Sequence, residues 1–89
     1  MRLIKSPNPL KKYRAIFDNG KHTDFGAAGY SDFTHHHDVE RRNRYDMRHK
    51  RHEDWNNPYT AGALSKWILW NKPTLSASLA DFKRRFGFN

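Results

Sequence analysis

The sequence contains no cysteine, no internal repeat and no long run of apolar residues. The absence of cysteine excludes disulfide cross-links and thiolate metal sites. No segment approaches the roughly 20 apolar residues that a membrane-spanning helix requires, and residues 1–13 lack the apolar centre of a secretion signal. We therefore expect one small domain of 89 residues, without a signal peptide or a membrane span.

Acidic residues are also scarce, and their distribution matters more than the total. Nine Asp and Glu oppose 17 Lys and Arg, which gives a formal charge of +8. Residues 1–14 carry five bases and no acid, and residues 55–89 carry five bases against one acid. Residues 38–54 carry six bases against five acids, so the positive excess lies at the two ends. The predicted contacts to a partner or to phosphate are Arg2, Lys5, Lys11, Lys12, Lys83, Arg84 and Arg85.

A β-hairpin is predicted over Tyr13–Phe25. A three-residue loop, with Gly20 in the left-handed conformation, pairs Tyr13 with Phe25 and Ala15 with Thr23. It gathers most of the apolar residues on one face, which must rest on helices because two strands alone are marginally stable. Arg14 then lies opposite Asp24 as a cross-strand ion pair.

Three helices are predicted after the hairpin. The first runs from about Asp38 to Lys50 and carries several i,i+4 pairs of opposite charge. The second covers Ala61 to about Trp70 behind Thr60 as N-cap. The third begins after Thr74 or Ser76, shows a clear helical period of apolar residues to Phe86, and ends at Gly87. The fold class is therefore α+β, a small single domain whose N-terminal hairpin packs on about three short helices. Residues 1–12 are predicted as a basic extended arm, because Pro7 and Pro9 favour extended backbone, and residues 13–89 as the compact domain.

The stretch Asp24–Trp55 is rich in polar and aromatic residues and contains five of the six histidines. Its spacing favours a buried polar network over an exposed basic helix, since the helix can pair its own charges. Such a network specifies one conformation only when every member is paired. The predicted members are Tyr30, Asp32, Thr34, Asp38, Arg41, Tyr45, Arg48, His49, Glu53 and Trp55, and Arg48→Ala is expected to be strongly destabilising.

No catalytic or metal site is predicted. The consecutive histidines 35–37 cannot all point at one ion, and no HExxH motif or cysteine partner accompanies them. No nucleophile elbow, phosphate-binding glycine loop or paired-carboxylate motif occurs. We expect no cofactor and no enzymatic activity. The histidines predict a pH-sensitive element instead, because histidine titrates near pH 6.5.

Nucleic-acid binding is the alternative that the charge supports. A pI near 10.1 and basic ends are consistent with phosphate contacts. No helix-turn-helix, zinc-finger or RNP signature accompanies them, and the Arg-rich helix has acids of its own. The charge pattern slightly favours a structural adaptor that reaches acidic protein neighbours with its two ends.

Three sequence blocks carry a family resemblance. The chain resembles, over about residues 13–86, a small family of unassigned function found in large DNA viruses of algae and protists. The blocks are a GY-x-D-[FY]-T-x-H-x-D motif at Gly29, Tyr30, Asp32, Phe33, Thr34, His36 and Asp38, an RH-x3-EDW motif at Arg48, His49, Glu53, Asp54 and Trp55, and ILWNKPTL at Ile68–Leu75.

The resemblance implies a viral context and no active site. It implies a protein of the virion, made in the host cytoplasm or a virus factory. In that context we expect a minor capsid or virion component that contacts other virion proteins. The alternative is a nucleic-acid-binding protein of genome packaging or condensation.

Overall fold

A three-stranded antiparallel sheet forms one layer of the fold. The computed structural model describes all of residues 1–89. Its strands are β1 (Arg2–Lys5), β2 (Lys11–Ile16) and β3 (His22–Ala27), and β2 lies between the other two. Helices pack on one face of this sheet, so the predicted α+β class is confirmed.

The β2–β3 hairpin has the predicted register. Tyr13 lies opposite Phe25, and Arg14 lies opposite Asp24. The Arg14 guanidinium donates to both carboxylate oxygens of Asp24, at 2.7 and 3.1 Å. Gly20 closes the three-residue loop with φ +88°, a backbone conformation that glycine adopts without a steric penalty.

The predicted arm, residues 1–12, is instead part of the sheet. Residues 2–5 pair with β2 along its outer edge, and Met1 is buried in the core with 6% of its surface exposed. Pairing β1 with β2 satisfies backbone groups that a two-stranded hairpin would leave on an open edge. The two prolines lie in the β1–β2 connection, where Asn8 Oδ1 accepts from Leu10 N–H at 3.0 Å. The arm prediction was therefore wrong.

Four helices follow the sheet: α1 (Phe33–His36), α2 (Val39–His49), α3 (Ala61–Leu64) and α4 (Leu75–Phe86). Each of the three predicted helices is present, and α1 is an additional single turn. Asp38, Thr60 and Thr74 cap α2, α3 and α4 through their side-chain oxygens. Gly87 ends α4 in the left-handed conformation, as predicted. No helix has the length and apolar character needed to cross a membrane.

The second predicted helix is regular only over its first turn. Beyond α3, residues 65–69 continue as a π-helical segment, in which Trp70 N–H donates to the Ser65 carbonyl at 3.1 Å. This wider turn keeps Leu64, Ile68 and Leu69 all within the core.

The hydrophobic core lies between the sheet and the C-terminal helices. Ala15, Phe17 and Phe25 project from the sheet, and Phe82 meets them from α4. At about 25 cal/mol per Å² of buried apolar surface, these contacts are the main stabilising term. Lys11, Gly26 and Ala27 of the sheet border a groove that α2 also lines, and several polar residues of the central stretch lie in this groove.

Candidate functional site

Asp32 is the buried charge of the central stretch. It is 1% exposed, and its carboxylate accepts hydrogen bonds from Lys12 Nζ and from the Thr34 hydroxyl and amide. Burial alone would raise the pKa of Asp32, but the bonds from Lys12 and Thr34 outweigh it and hold the pKa below its usual value. Lys12 is thus an internal counter-ion and not, as predicted, a contact for an external phosphate.

A second polar cluster is centred on Glu53. Its two carboxylate oxygens accept from His49 Nδ1 and Trp55 Nε1, each at 2.8 Å. Gly62 permits this approach, because a Cβ there would lie 2.9 Å from the Glu53 carboxyl group. His49, Glu53 and Trp55, three predicted members of the polar network, therefore lie together. Gly62 was not predicted as part of this cluster, although a glycine in the first turn of a helix is a sequence signal for it.

An aromatic stack joins this cluster to the C-terminal half. Tyr45 lies between Trp70 and His49, with ring centroids 4.4 and 4.2 Å away. The Tyr45 and Trp70 rings are nearly parallel, at 5°. Burial raises the pKa of Tyr45, and the charge of Glu53 adds to the shift. Tyr45 is therefore a neutral structural ring and carries no acid–base chemistry near neutral pH.

Four predicted network members lie on the surface instead: Tyr30, Asp38, Arg41 and Arg48. Asp38 caps α2 through bonds from Glu40 and Arg41 N–H. Arg41 and Arg48 form no side-chain hydrogen bond and no ion pair. The single predicted network was therefore wrong, because two separate clusters, one around Asp32 and one around Glu53, pair their carboxylates without these arginines.

The predicted charge pairing along α2 is largely absent. Only Glu40 and Arg44 approach, at 3.9 Å and with the Glu40 side chain 88% exposed. Asp46 instead pairs with Lys66 at 2.8 Å, and Arg42 donates to the Asn71 carbonyl while it lies over the Phe33 ring. Asp46 thus serves a tertiary contact and Asp38 a helix cap, and only the exposed Glu40 pairs within α2.

The predicted C-terminal contact cluster is engaged within the fold. Arg84 and Arg85 both bond the buried carboxylate of Asp81, at 2.6 and 3.4 Å. Arg85 also stacks 3.8 Å above the Trp67 ring. Burial would raise the pKa of Asp81, but the Asn71 hydrogen bond and the Arg85 charge lower it overall. Of this cluster, only Lys83 lacks a carboxylate partner.

Two adjoining grooves are lined by several cations that have no carboxylate partner in the fold. The central groove, about 450 Å³, lies between the β3–α1 connection, α2 and α3. The outer groove, about 990 Å³, lies along the β1–β2 connection. Lys11, Lys12, Tyr30 and Ser31 line both grooves and form their common border.

Most of the cations that line the two grooves have no carboxylate partner. Five cations and two carboxylates line them. Both carboxylates, Asp32 and Glu53, already have partners inside the fold. The four unpaired and exposed cations are Lys5, Lys11, Arg41 and Arg48.

The histidines do not converge. His35 and His37 are exposed, and no group of three His, Asp or Glu side chains is placed to hold a metal ion. His36 is half-buried beside Trp70, at 5.3 Å between ring centroids. Its Nδ1 accepts from Asp38 N–H, whereas its Nε2 is buried without a partner. Burial and the nearby Arg41 lower the pKa of His36.

Comparison with known proteins gives one match. No curated protein and no solved structure is significantly similar to the chain. A family model matches residues 1–49, which contain the sheet, α1, α2 and the four unpaired groove cations. The match covers more than half of the 89 residues, and the chain belongs to this family of unknown function, DUF5754.

Proposed function

We propose that this protein binds nucleic acid through the two adjoining grooves and acts by binding, without catalysis. The observation that carries the proposal is the set of four unpaired cations, Lys5, Lys11, Arg41 and Arg48, around grooves whose two acids are internally satisfied. A ligand that lies along both grooves meets excess positive charge throughout. A polyanion with regularly spaced charges fits this surface.

Phosphate contacts of this kind produce a strong salt dependence. Each neutralised phosphate releases condensed counter-ions, with a slope of log K on log salt of about −0.9 per contact for duplex DNA and about −0.7 for single strands. Four contacts therefore predict that affinity falls by about 50- to 150-fold between 50 and 200 mM salt. A non-specific basic binder follows the same relation whatever the base sequence.

The test is fluorescence anisotropy with labelled oligonucleotides over that salt range. The triple variant Lys11→Gln, Arg41→Gln and Arg48→Gln removes three of the four cations, and its salt slope is expected to be shallower by about 2–3. A matched control, Arg2→Gln, Lys21→Gln and Lys72→Gln, removes the same charge from exposed positions outside both grooves. If the two variants bind equally, only net charge matters and the groove assignment fails.

A second candidate function is the structural role in a virion that the family resemblance implies. Val39 and Met47, 50% and 77% exposed, support it, because both project from the outer side of α2 away from the core. Exposed apolar side chains on one helix face are suited to contact another protein. The partners would be other virion proteins, and the site of action the virion or the host-cell assembly compartment.

Fractionation of purified virions separates the two candidates. A structural component remains with gently stripped capsid shells, whereas a packaging protein follows the genome core. Shell association combined with no measurable oligonucleotide binding would reject the nucleic-acid proposal in favour of the structural one.

A further inference from the structure

Tyr30 is the one aromatic residue of the chain that is largely exposed. It is 75% exposed, while Tyr13, Tyr45 and Tyr59 each pack against another ring. No ring contacts Tyr30, and its hydroxyl group forms no hydrogen bond within the protein. An aromatic ring left in water gives up the burial of roughly 150–250 Å², so its position is not explained by folding stability.

The backbone around Tyr30 is held firmly. Ala28 N–H donates to the Leu10 carbonyl at 3.0 Å, and Tyr30 N–H donates to the Ala27 carbonyl at 3.4 Å. Gly29 supplies the turn with φ +85°. Two residues further on, Asp32 is fixed by its buried ion pair. The ring is therefore presented by an ordered segment, which reduces the entropy lost when a ligand packs on it.

Tyr30 also stands where the two basic grooves meet. It lines both, together with Lys11 and Lys12, and Lys12 is committed to Asp32. Lys11 is the nearby cation that remains available for an external phosphate. An exposed ring flanked by an unpaired cation on a shared border is the combination used to bind single strands, in which bases stack on the ring and phosphates follow the charge.

We infer that Tyr30 is a stacking platform for an unpaired base, so that the preferred ligand of the grooves is single-stranded nucleic acid. This inference rests on the proposed function and narrows it. In a duplex the base faces are already stacked on their neighbours, and Tyr30 has no base face to contact. Single strands offer every base to the ring, without sequence preference.

The test compares a single-stranded 12-mer with its duplex, each labelled and measured by anisotropy at 50 mM salt. Tyr30→Ala is expected to weaken single-strand binding by about 5- to 150-fold, which corresponds to the usual stacking contribution of about 1–3 kcal/mol per base. Tyr30→Phe keeps the ring and is expected to bind within about two-fold of the parent. Duplex affinity should be unchanged in both variants.

Met47→Ala is the matched control, because Met47 is 77% exposed and lines neither groove. Thermal melting checks that each variant folds, and surface substitutions of this kind change stability by about 0.5 kcal/mol or less. Upfield shifts of the Tyr30 ring protons on addition of oligothymidine would report stacking directly.

The outcomes distinguish the inference from the proposal beneath it. If the parent protein binds with the expected salt slope but Tyr30→Ala binds single strands equally well, the stacking role is rejected and the groove proposal stands. An equal loss on single strands and duplex also rejects it, since that pattern indicates a general perturbation. If the parent protein binds neither oligonucleotide, both proposals are rejected.

Discussion

Gly26→Ala is expected to be among the most destabilising single-methyl additions to this protein. Gly26 lies in β3 with φ +79°, under the central groove. A Cβ there would lie 2.8 Å from Leu69 Cδ1 and 3.2 Å from Lys12 Cβ. Two penalties therefore add. The left-handed backbone costs about 1–2 kcal/mol for a residue other than glycine, and the overpacking against Leu69 and Lys12 costs about 1–3 kcal/mol.

Gly29→Ala separates the two penalties. Gly29 has nearly the same φ, +85°, but no atom lies within 4 Å of an added Cβ. It should lose only the backbone part, about 1–2 kcal/mol, while Gly26→Ala loses about 2–5 kcal/mol. Urea denaturation followed by circular dichroism gives both free energies of unfolding. Equal values for the two variants would refute the close packing of β3 on Leu69.

Three further predictions concern charge. Asp32→Ala should reduce the free energy of unfolding by about 3–5 kcal/mol, because it leaves the largely buried side chain of Lys12 without its counter-ion. Arg48→Ala should change the free energy by about 0.5 kcal/mol or less, and urea melts that rank the two variants in reverse would contradict the structure. Stability should fall as the pH drops below about 4, because the folded-state pKa values of Asp32 and Asp81 lie below the unfolded value of about 3.9. The unfolded chain then binds more protons than the folded chain, and melting temperatures that stay constant between pH 7 and 2.5 would exclude this prediction. Burial and the charges of Arg41 and His37 lower the pKa of His36 and outweigh the opposite effect of Asp38 and Asp32, so a further loss of stability should begin as the pH falls through about 6.5. His36→Asn keeps an acceptor for Asp38 N–H and should remove that part of the pH profile.

Local features of the fold were predictable because short-range rules determine them. Asp18-Asn19-Gly20 fixes the hairpin loop and hence the register that places Arg14 opposite Asp24. Thr74 and Gly87 mark the ends of α4, because a hydroxyl can cap the first turn and glycine adopts the left-handed conformation at the last. In each case the deciding interaction lies within a few residues of the feature.

Partner choice among the charged residues was not predictable in the same way. The sequence offers Asp46 the neighbours Arg42 and Lys50, yet it pairs with Lys66, twenty residues away. An exposed i,i+4 pair contributes only about 0.3–0.5 kcal/mol, so a partly buried tertiary contact easily displaces it. The same preference for a buried partner explains why Arg84 and Arg85, at the predicted C-terminal end, bond Asp81. Lys5 and Lys11, at the predicted N-terminal end, remain unpaired and line the grooves.

Pairing of β1 could not be read from residues 1–12 either. A four-residue strand with two prolines after it looks like a loose tail when its partner is unknown. Its stability comes from the open edge of β2 and from the site that receives Met1, and both are properties of the folded domain.

The hydrophobic core is formed by residues both inside and outside the family match. The matched residues 1–49 supply the sheet and the groove cations. The side chains that cover the sheet, Leu64, Ile68 and Phe82 among them, lie beyond the match. A polypeptide that ended after α2 would leave Phe17 and Phe25 in water. In this chain the matched segment therefore depends on the helices that follow it to bury its apolar face. The proposed groove surface depends on them as well, because Ala61, Gly62 and Trp70 line the central groove.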